Sequence, residues 1–229
     1  MKIRSFQEMN TMRRCAALVV GMLVLGGVAN AQTPARTSDA DRGYVEGVIQ
    51  SAFGNVTSQS IGAEIGVTIK PNLQVFVEAG QVRDTATASI GAAAQLMAGF
   101  LSQTQSNVAF SVKEPVTFGV AGLKYIVPMA GAVRPYVLGG AGIASVKQNV
   151  AFTIGGSDVT SSLASQYGVQ LGTDLSGSFT KPMIVAGAGA MWSPWQRLIV
   201  DLQFRFGRIL AEDGAINVSR AGVGIGVRF

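Results

Sequence analysis

The sequence predicts an all-β fold, an eight-stranded antiparallel up-and-down barrel that crosses a membrane. Three observations predict it. Segments of about ten residues alternate apolar and polar along most of the chain, the period of a strand with two unlike faces. Their polar faces carry isolated charges spaced by Gly, where a solvated sheet would carry dense Lys, Glu and Thr. The first thirty residues have the order of an export signal.

That signal comes first along the chain. Lys2, Arg4, Arg13 and Arg14 lead into an apolar run over residues 15–28, followed by Ala29-Asn30-Ala31. A basic head, about 14 apolar residues and an A-x-A site predict a Sec-type secretory signal peptide, residues 1–31, cut after Ala31. The run falls short of the roughly 20 residues of a spanning helix. Arg13-Arg14 lacks the neighbours of a twin-arginine signal. Cys15 opens the apolar run, where a lipoprotein cysteine would end it. Residues 32–41 are expected to form a flexible N-terminal segment and residues 42–229 the barrel domain. The chain's net charge of +5 falls to +2 once residues 1–31 leave, with 14 Lys+Arg against 12 Asp+Glu. The basic balance therefore does not point to a nucleic-acid partner.

The strands follow. In 198–208, Leu198, Val200, Leu202, Phe204 and Phe206 share one face, and Asp201, Gln203 and Arg205 the other. Residues 60–70 set Ile61, Ala63, Ile65, Val67 and Ile69 against Gly62, Glu64, Gly66 and Thr68, and 73–81 sets Leu73, Val75, Val77 and Ala79 against Gln74, Phe76 and Glu78. The last stretch, 220–229, puts Ala221, Val223, Ile225, Val227 and Phe229 opposite Arg220, three Gly and Arg228. Weaker versions occupy 43–53, 116–127, 134–145 and 183–192. Proline cannot donate to a strand ladder, and Pro71, Pro128 and Pro194 fall between these segments. The joints at those prolines are short (70–72, 128–133, 193–197). At the other end, 54–58 and 209–215 are modest, while 83–115 and 146–182 are long enough for either to hide a further hairpin.

Alternation alone fits a soluble barrel as well as a membrane one, which turns its apolar face outward. The charges choose between them. Glu46, Glu64, Glu78, Lys124, Asp201, Arg205 and Arg220 fall about one per strand among small residues, as the narrow interior of an eight-stranded barrel requires. An unpaired buried charge costs several kcal/mol, so these seven are expected as a network inside the lumen. Acids on early strands and arginines on late ones meet only if the sheet closes. Tyr125, Trp192 and Phe229 lie next to short joints and Trp195 within one, which suits rings at a membrane–water interface.

With these residues in view, the chain resembles the small outer-membrane β-barrel proteins of Gram-negative-type bacteria, the group of the OmpA transmembrane domain, OmpX and the opacity proteins. The likeness covers about residues 42–229. It is carried by the signal peptide, by Arg134-Pro135-Tyr136-Val137-Leu138-Gly139-Gly140-Ala141-Gly142, and by the ending Val223-Gly224-Ile225-Gly226-Val227-Arg228-Phe229. The resemblance implies short periplasmic turns, long outer loops, and a terminal strand whose Ile225, Val227 and Phe229 are read by the barrel-assembly machinery. It also implies outer-membrane lipid as the partner of the outer face, and a monomer.

Other motifs are read as structural. The glycines of 139–142, 187–189 and 222–226 open no helix after a parallel strand, so they do not make a phosphate cradle. Asp84, Asp158, Asp174, Glu212 and Asp213 fall in loops and are read as turn-formers or solvated acids, with no metal or cofactor expected. Residues 89–102 place Ile90, Ala93, Ala94, Met97, Phe100 and Leu101 at helical spacing. Residues 158–167 suggest a second short helix, with Asp158 as N-cap and Val159, Leu163 and Tyr167 on one face. The two helices are expected to pack together over the outer mouth. The chain has no His, which removes Ser-His and Cys-His nucleophiles and His-ligated zinc. The reading is therefore a non-catalytic outer-membrane barrel with a structural or surface-interaction and adhesion role. A narrow pore or conduit for small hydrophobic compounds, and a soluble periplasmic lipid-binding barrel, stand as alternatives.

Overall fold

The structure is a computed structural model, and it describes residues 43–168, 175–211 and 214–229. The signal peptide, its cleavage after Ala31, the segment 32–41, and Asp174, Glu212 and Asp213 lie outside the described residues.

The elements are β1 (Gly43–Gly54), β2 (Ser58–Lys70), β3 (Leu73–Val82), helix α1 (Ala88–Leu101), β4 (Val108–Lys113), β5 (Val116–Ile126), β6 (Val133–Ile154), β7 (Ser157–Asp158), a 3-10 turn (Thr160–Ser162), helix α2 (Leu163–Tyr167), β8 (Ser176–Trp192), β9 (Leu198–Ile209) and β10 (Ile216–Arg228). Every strand pairing is antiparallel. Around the sheet the order is β1-β2-β3-β5-β6-β8-β9-β10, and β10 pairs back onto β1. Eight strands thus close into a barrel. Phe229 completes the seam, exchanging backbone hydrogen bonds of 3.1 and 3.0 Å with Gly43.

The register fixes the geometry. From Gly54 the pairing runs Val218, Gly207, Val185, Gly140, Gly122, Phe76, Gly66 and returns to β1 at Tyr44, ten residues from its start. With about 3.3 Å per residue and about 4.8 Å between strands, that stagger over eight strands tilts them by about 40°. Ile61 to Ile69, an unbroken apolar outer row on β2, then spans about 26 Å along the strand and about 20 Å in height.

Burial alternates along every ring strand, and the exposed set is the apolar one. Ile49 (72% exposed), Ile61, Ile65, Val77, Val137, Leu202, Phe204 and Ile225 all point outward. Above this belt, on the loop side, the outward positions turn polar on neighbouring strands: Gln81, Thr117, Ser145 and Thr180 lie side by side, and Arg208 faces Asn217.

The long joints hold more strand than expected. β6 runs on to Ile154 and β8 begins at Ser176, so much of the segment 146–182 is a two-stranded extension of the barrel wall. Pro182 lies inside β8, beyond the point where Met183 faces Ile209 as the last β9 pair. Past that point β8 is an edge on the β9 side, where proline is tolerated. β4 and β5 are one strand interrupted at Glu114-Pro115: Lys113 faces Asn149 and Val116 faces Val146, three residues on along both chains. The ring count stays at eight, with β4 and β7 lengthening β6's neighbourhood above it.

Helix α1 matches the helical spacing of 89–102. Its buried Ile90, Ala94, Ala98 and Leu101 join Val150, Phe152, Leu163 and Leu175 in a second apolar core, separate from the barrel's own. The two helices do share this core, but they share it with β6, because the strand extension supplies an apolar face to pack on. The expected helix over 158–167 is shorter: α2 has five residues, and Asp158 does not cap it. The Asp158 carboxylate accepts hydrogen bonds from the Thr160 N–H (2.9 Å) and hydroxyl (2.6 Å), holding the turn that precedes α2.

Candidate functional site

The barrel interior is the site. On β1, β2 and β3, Glu46, Glu64 and Glu78 sit directly opposite one another, three carboxylates in a row on one inner wall. On β9 and β10, Arg205 faces Arg220. Like charges placed this way repel within a sheet. They become favourable only because the closed ring points the two rows at each other.

Glu64 accepts from the Lys124 ammonium at 2.6 Å and from Arg205 Nη2 at 2.5 Å. The Tyr44 hydroxyl also donates to it. Glu78 accepts from Arg205 Nη1 at 2.6 Å and from Arg220 Nη1 at 2.9 Å. Arg220 reaches on to Gln50 Oε1 at 3.3 Å, and Gln50 donates to Gln203 at 3.4 Å. The chain Lys124–Glu64–Arg205–Glu78–Arg220 thus crosses the lumen through wholly buried groups. Rings line it. Lys124 Nζ stands 4.4 Å from the Tyr136 centroid and 4.8 Å from that of Tyr44, and the Arg220 guanidinium lies 4.2 Å from that of Phe118.

Two of the seven residues stand apart. Asp201 is buried in the same lumen and accepts from the Tyr136 hydroxyl at 2.7 Å, but makes no ion pair among the described residues. Glu46 is 2% exposed, and neither of its oxygens has a hydrogen-bond partner among the described residues. It lies beside Gly224, where a Cβ would come within 3.0 Å of both Glu46 Oε2 and Gln203 Nε2.

Tyr44, Tyr136, Gln50 and the rings of Phe76 and Phe118 complete the interior, and none of them was among the expected lumen charges. Their signal was parity: Tyr44 and Gln50 share the register of Glu46, and Phe76 that of Glu78. Each tyrosine lies across a register partner without a side chain, Tyr44 over Gly66 and Tyr136 over Gly189, and a methyl at either glycine would collide with the ring.

Outside the lumen, Ile225 (61% exposed), Val227 and Phe229 face outward on β10 and at its end. Tyr125, Trp192 and Trp195 (71% exposed) cluster at the short-turn end, with Tyr125 opposite Leu73 and Trp192 opposite Val133. At that end a cavity of about 970 Å³ is lined by Tyr44, Gln74, Arg134, Met191, Ile199 and Arg228.

At the loop end, Glu114 is buried where β4 breaks from β5. Its carboxylate accepts from the Thr87 N–H at 2.6 Å and so holds the start of α1. Asp84 accepts from the N–H groups of Ala86 and Glu114. The loop acids Asp84 and Asp158 are thus occupied with backbone, and no acidic cluster suited to a metal occurs among the described residues.

No family model matches the chain, and no curated protein matches it. Solved structures do. The chain is similar to Neisserial surface protein A at 12% identity and a TM-score of 0.51, covering 82% of this chain and 96% of that one. It is also similar to a major outer membrane protein from Thermus thermophilus, at 10% identity and a TM-score of 0.50, covering 82% and 99%. By fold, then, this chain is a small eight-stranded β-barrel of the kind found in bacterial outer membranes.

Proposed function

We propose that the protein is a monomeric, non-catalytic component of the bacterial outer membrane, with a structural or surface-interaction role that includes adhesion. The observation that carries this is the inverted distribution of polarity. Charged side chains, Glu46, Glu64, Glu78, Lys124, Asp201, Arg205 and Arg220 among them, are buried inside the ring while Ile, Val, Leu and Phe are exposed around it. In water that outer belt would be a large unfavourable apolar surface. Against acyl chains it is the favourable face, and an apolar band flanked by aromatic rings is how such barrels meet a bilayer.

In this reading the signal peptide is removed after Ala31. The ending Ile225, Val227, Phe229 is taken up by the barrel-assembly machinery, and lipid surrounds the belt. Tyr125, Trp192 and Trp195 mark the periplasmic interface, and the lobe built from α1, α2, β4 and the ends of β6 and β8 faces outward. The packed ion network supports a closed interior over a pore. The absence of His, together with acids and bases engaged mainly with one another, supports a non-catalytic role.

The test joins fractionation to conductance. The protein is expected to stay in the membrane pellet through sodium carbonate extraction and to migrate faster on gels unboiled than boiled. Planar-bilayer recordings are expected to show no steady channel. Release by carbonate would refute the membrane assignment, and a steady open channel would favour the pore.

A further inference from the structure

Helix α1 carries almost none of the devices that usually hold a helix together. Residues 85–112 contain no Asp, Glu, Lys or Arg, so neither end of the helix has a charge of its own to complement the helix dipole. Thr87 stands at the N-cap without a side-chain cap hydrogen bond, its hydroxyl paired with that of Ser89 at 2.9 Å. Gly91 and Gly99 lie within the helix, where each glycine weakens it about fivefold against alanine. Neither glycine is there for space or for a positive φ: nothing beyond the helix stands within 4 Å of an added Cβ at either position. The face turned to the barrel is small as well. Ala94 and Ala98 are two of its four buried residues, and Ile90 and Leu101 are the large ones.

The base of the helix is built the opposite way. Thr85 donates to the Glu114 carbonyl through both its N–H and its hydroxyl, each at 2.9 Å, and the Asp84 carboxylate accepts from the Glu114 N–H at 2.9 Å. Arg83 N–H donates to the Gln59 carbonyl, and Asn55 reaches the Thr85 carbonyl at 3.3 Å. The joint 83–87 is thereby clamped to the start of β2 and to the break between β4 and β5. From that clamp the buried Glu114 carboxylate reaches the Thr87 N–H at 2.6 Å. Among the described residues no other hydrogen bond ties residues 87–101 to the ring. The negative charge that the start of α1 lacks is therefore supplied from another strand.

We propose that α1 is a hinged cover on a closed ring, latched by Glu114 and kept marginal by Gly91 and Gly99. Its opening uncovers Val150 and Phe152 of β6, which it buries together with Leu163, and presents them as an apolar surface. The ring stays shut as this happens, because its own core is separate from the one beneath α1. Glu114 is a positioning residue here, acting on the helix through Thr87. The inference holds whichever side of the membrane the lobe faces, so it does not rest on the reading above.

The experiment is hydrogen–deuterium exchange of the detergent-folded protein, read by mass spectrometry. Peptides from α1 are compared with peptides from β1, β9 and β10, which serve as the ring standard, in wild type, E114A and G91A/G99A. In wild type the α1 amides are expected to exchange faster than those of the ring, as a unit that opens locally does. In E114A they are expected to exchange about tenfold faster still, the ratio that goes with losing a hydrogen bond to a charged group, while the ring is unchanged. In G91A/G99A they are expected to slow about tenfold. Ring-like protection of α1 in wild type overturns the cover. A rise shared equally by α1 and the ring in E114A, or loss of that variant's unboiled-versus-boiled gel shift, overturns the latch, since Glu114 would then support the barrel as a whole. G91A/G99A does not touch Glu114 and decides the rest: exchange at the wild-type rate overturns the role given to the glycines.

Discussion

Arg205 is the residue on which the interior depends most, and its removal gives a worked test. Its guanidinium bridges two carboxylates on different strands, Nη2 to Glu64 at 2.5 Å and Nη1 to Glu78 at 2.6 Å, with all three groups almost wholly buried. In Arg205→Met the volume is roughly kept and the charge is lost. Glu64 retains Lys124 and Tyr44, and Glu78 retains Arg220. The middle of the lumen would then keep Glu46, Glu64, Glu78 and Asp201 but lose one of the three cations set among them, leaving Lys124 and Arg220 there and Arg228 at the short-turn end. Breaking a buried pair from one side costs about 3–5 kcal/mol. With a urea m-value of about 2 kcal/mol/M, the unfolding midpoint is expected to fall by about 1.5–2.5 M. The assay is urea unfolding in vesicles, read as the fraction of unboiled protein in the fast-migrating band. The double variant Arg205→Met/Glu78→Gln should recover part of the loss, since it removes the carboxylate left with a single partner. A midpoint within 0.3 M of wild type (about 0.6 kcal/mol), or a double variant simply additive in its losses, would show that the network does not hold the barrel together.

Three further outcomes follow from particular residues. Glu46→Gln keeps the shape and removes the charge of a buried carboxylate that has no hydrogen bond among the described residues, so the same assay should show a gain of about 1–3 kcal/mol, the order of the extra penalty for burying such a group charged. Gly189→Ala places a methyl in the Tyr136 ring, and overpacking of this kind costs about 1–3 kcal/mol; Gly47→Ala, where nothing stands within 4 Å, should leave the midpoint unchanged. Asp158, exposed in the loop lobe, is held below the usual aspartate range by the hydrogen bonds from the Thr160 hydroxyl and N–H. A depressed folded-state value means that the contribution is present above the unfolded value and lost as pH falls through the folded one. The Thr160 amide resonance should therefore move with a midpoint below that of a free aspartate, and Asp158→Asn should abolish the titration.

The ring strands were legible because each is two-faced, and a period of two survives whichever face is buried. The sign of the inversion was legible from the charges: acids at 46, 64 and 78 and arginines at 205 and 220 make sense only as rows facing across a closed lumen. The strand extensions were not, because beyond Ser145 the outward positions become Lys147 and Asn149 while Val146, Val150 and Phe152 stay buried. That pattern reads equally as loop or sheet until a partner strand is present. The break at Glu114-Pro115 hid β4 for a related reason, since proline marks a joint in sequence even where the register runs through it. The tyrosines were overlooked as functional because their role is set by glycines on neighbouring strands, Gly66 and Gly189, which no local window contains. The unpartnered state of Glu46 depends on lateral neighbours in the same way.

The central claim is that acyl chains surround this barrel and its ions lie within. The chain contains two Trp, Trp192 and Trp195, both outward at the short-turn end. The most direct measurement is therefore fluorescence quenching of the protein folded into vesicles whose lipids carry bromine at stepped depths along the acyl chains. The account predicts strong quenching by bromines near the headgroup and weaker quenching toward the bilayer centre. Emission indifferent to bromine at every depth, from a protein that stays folded in water without amphiphile, would contradict it.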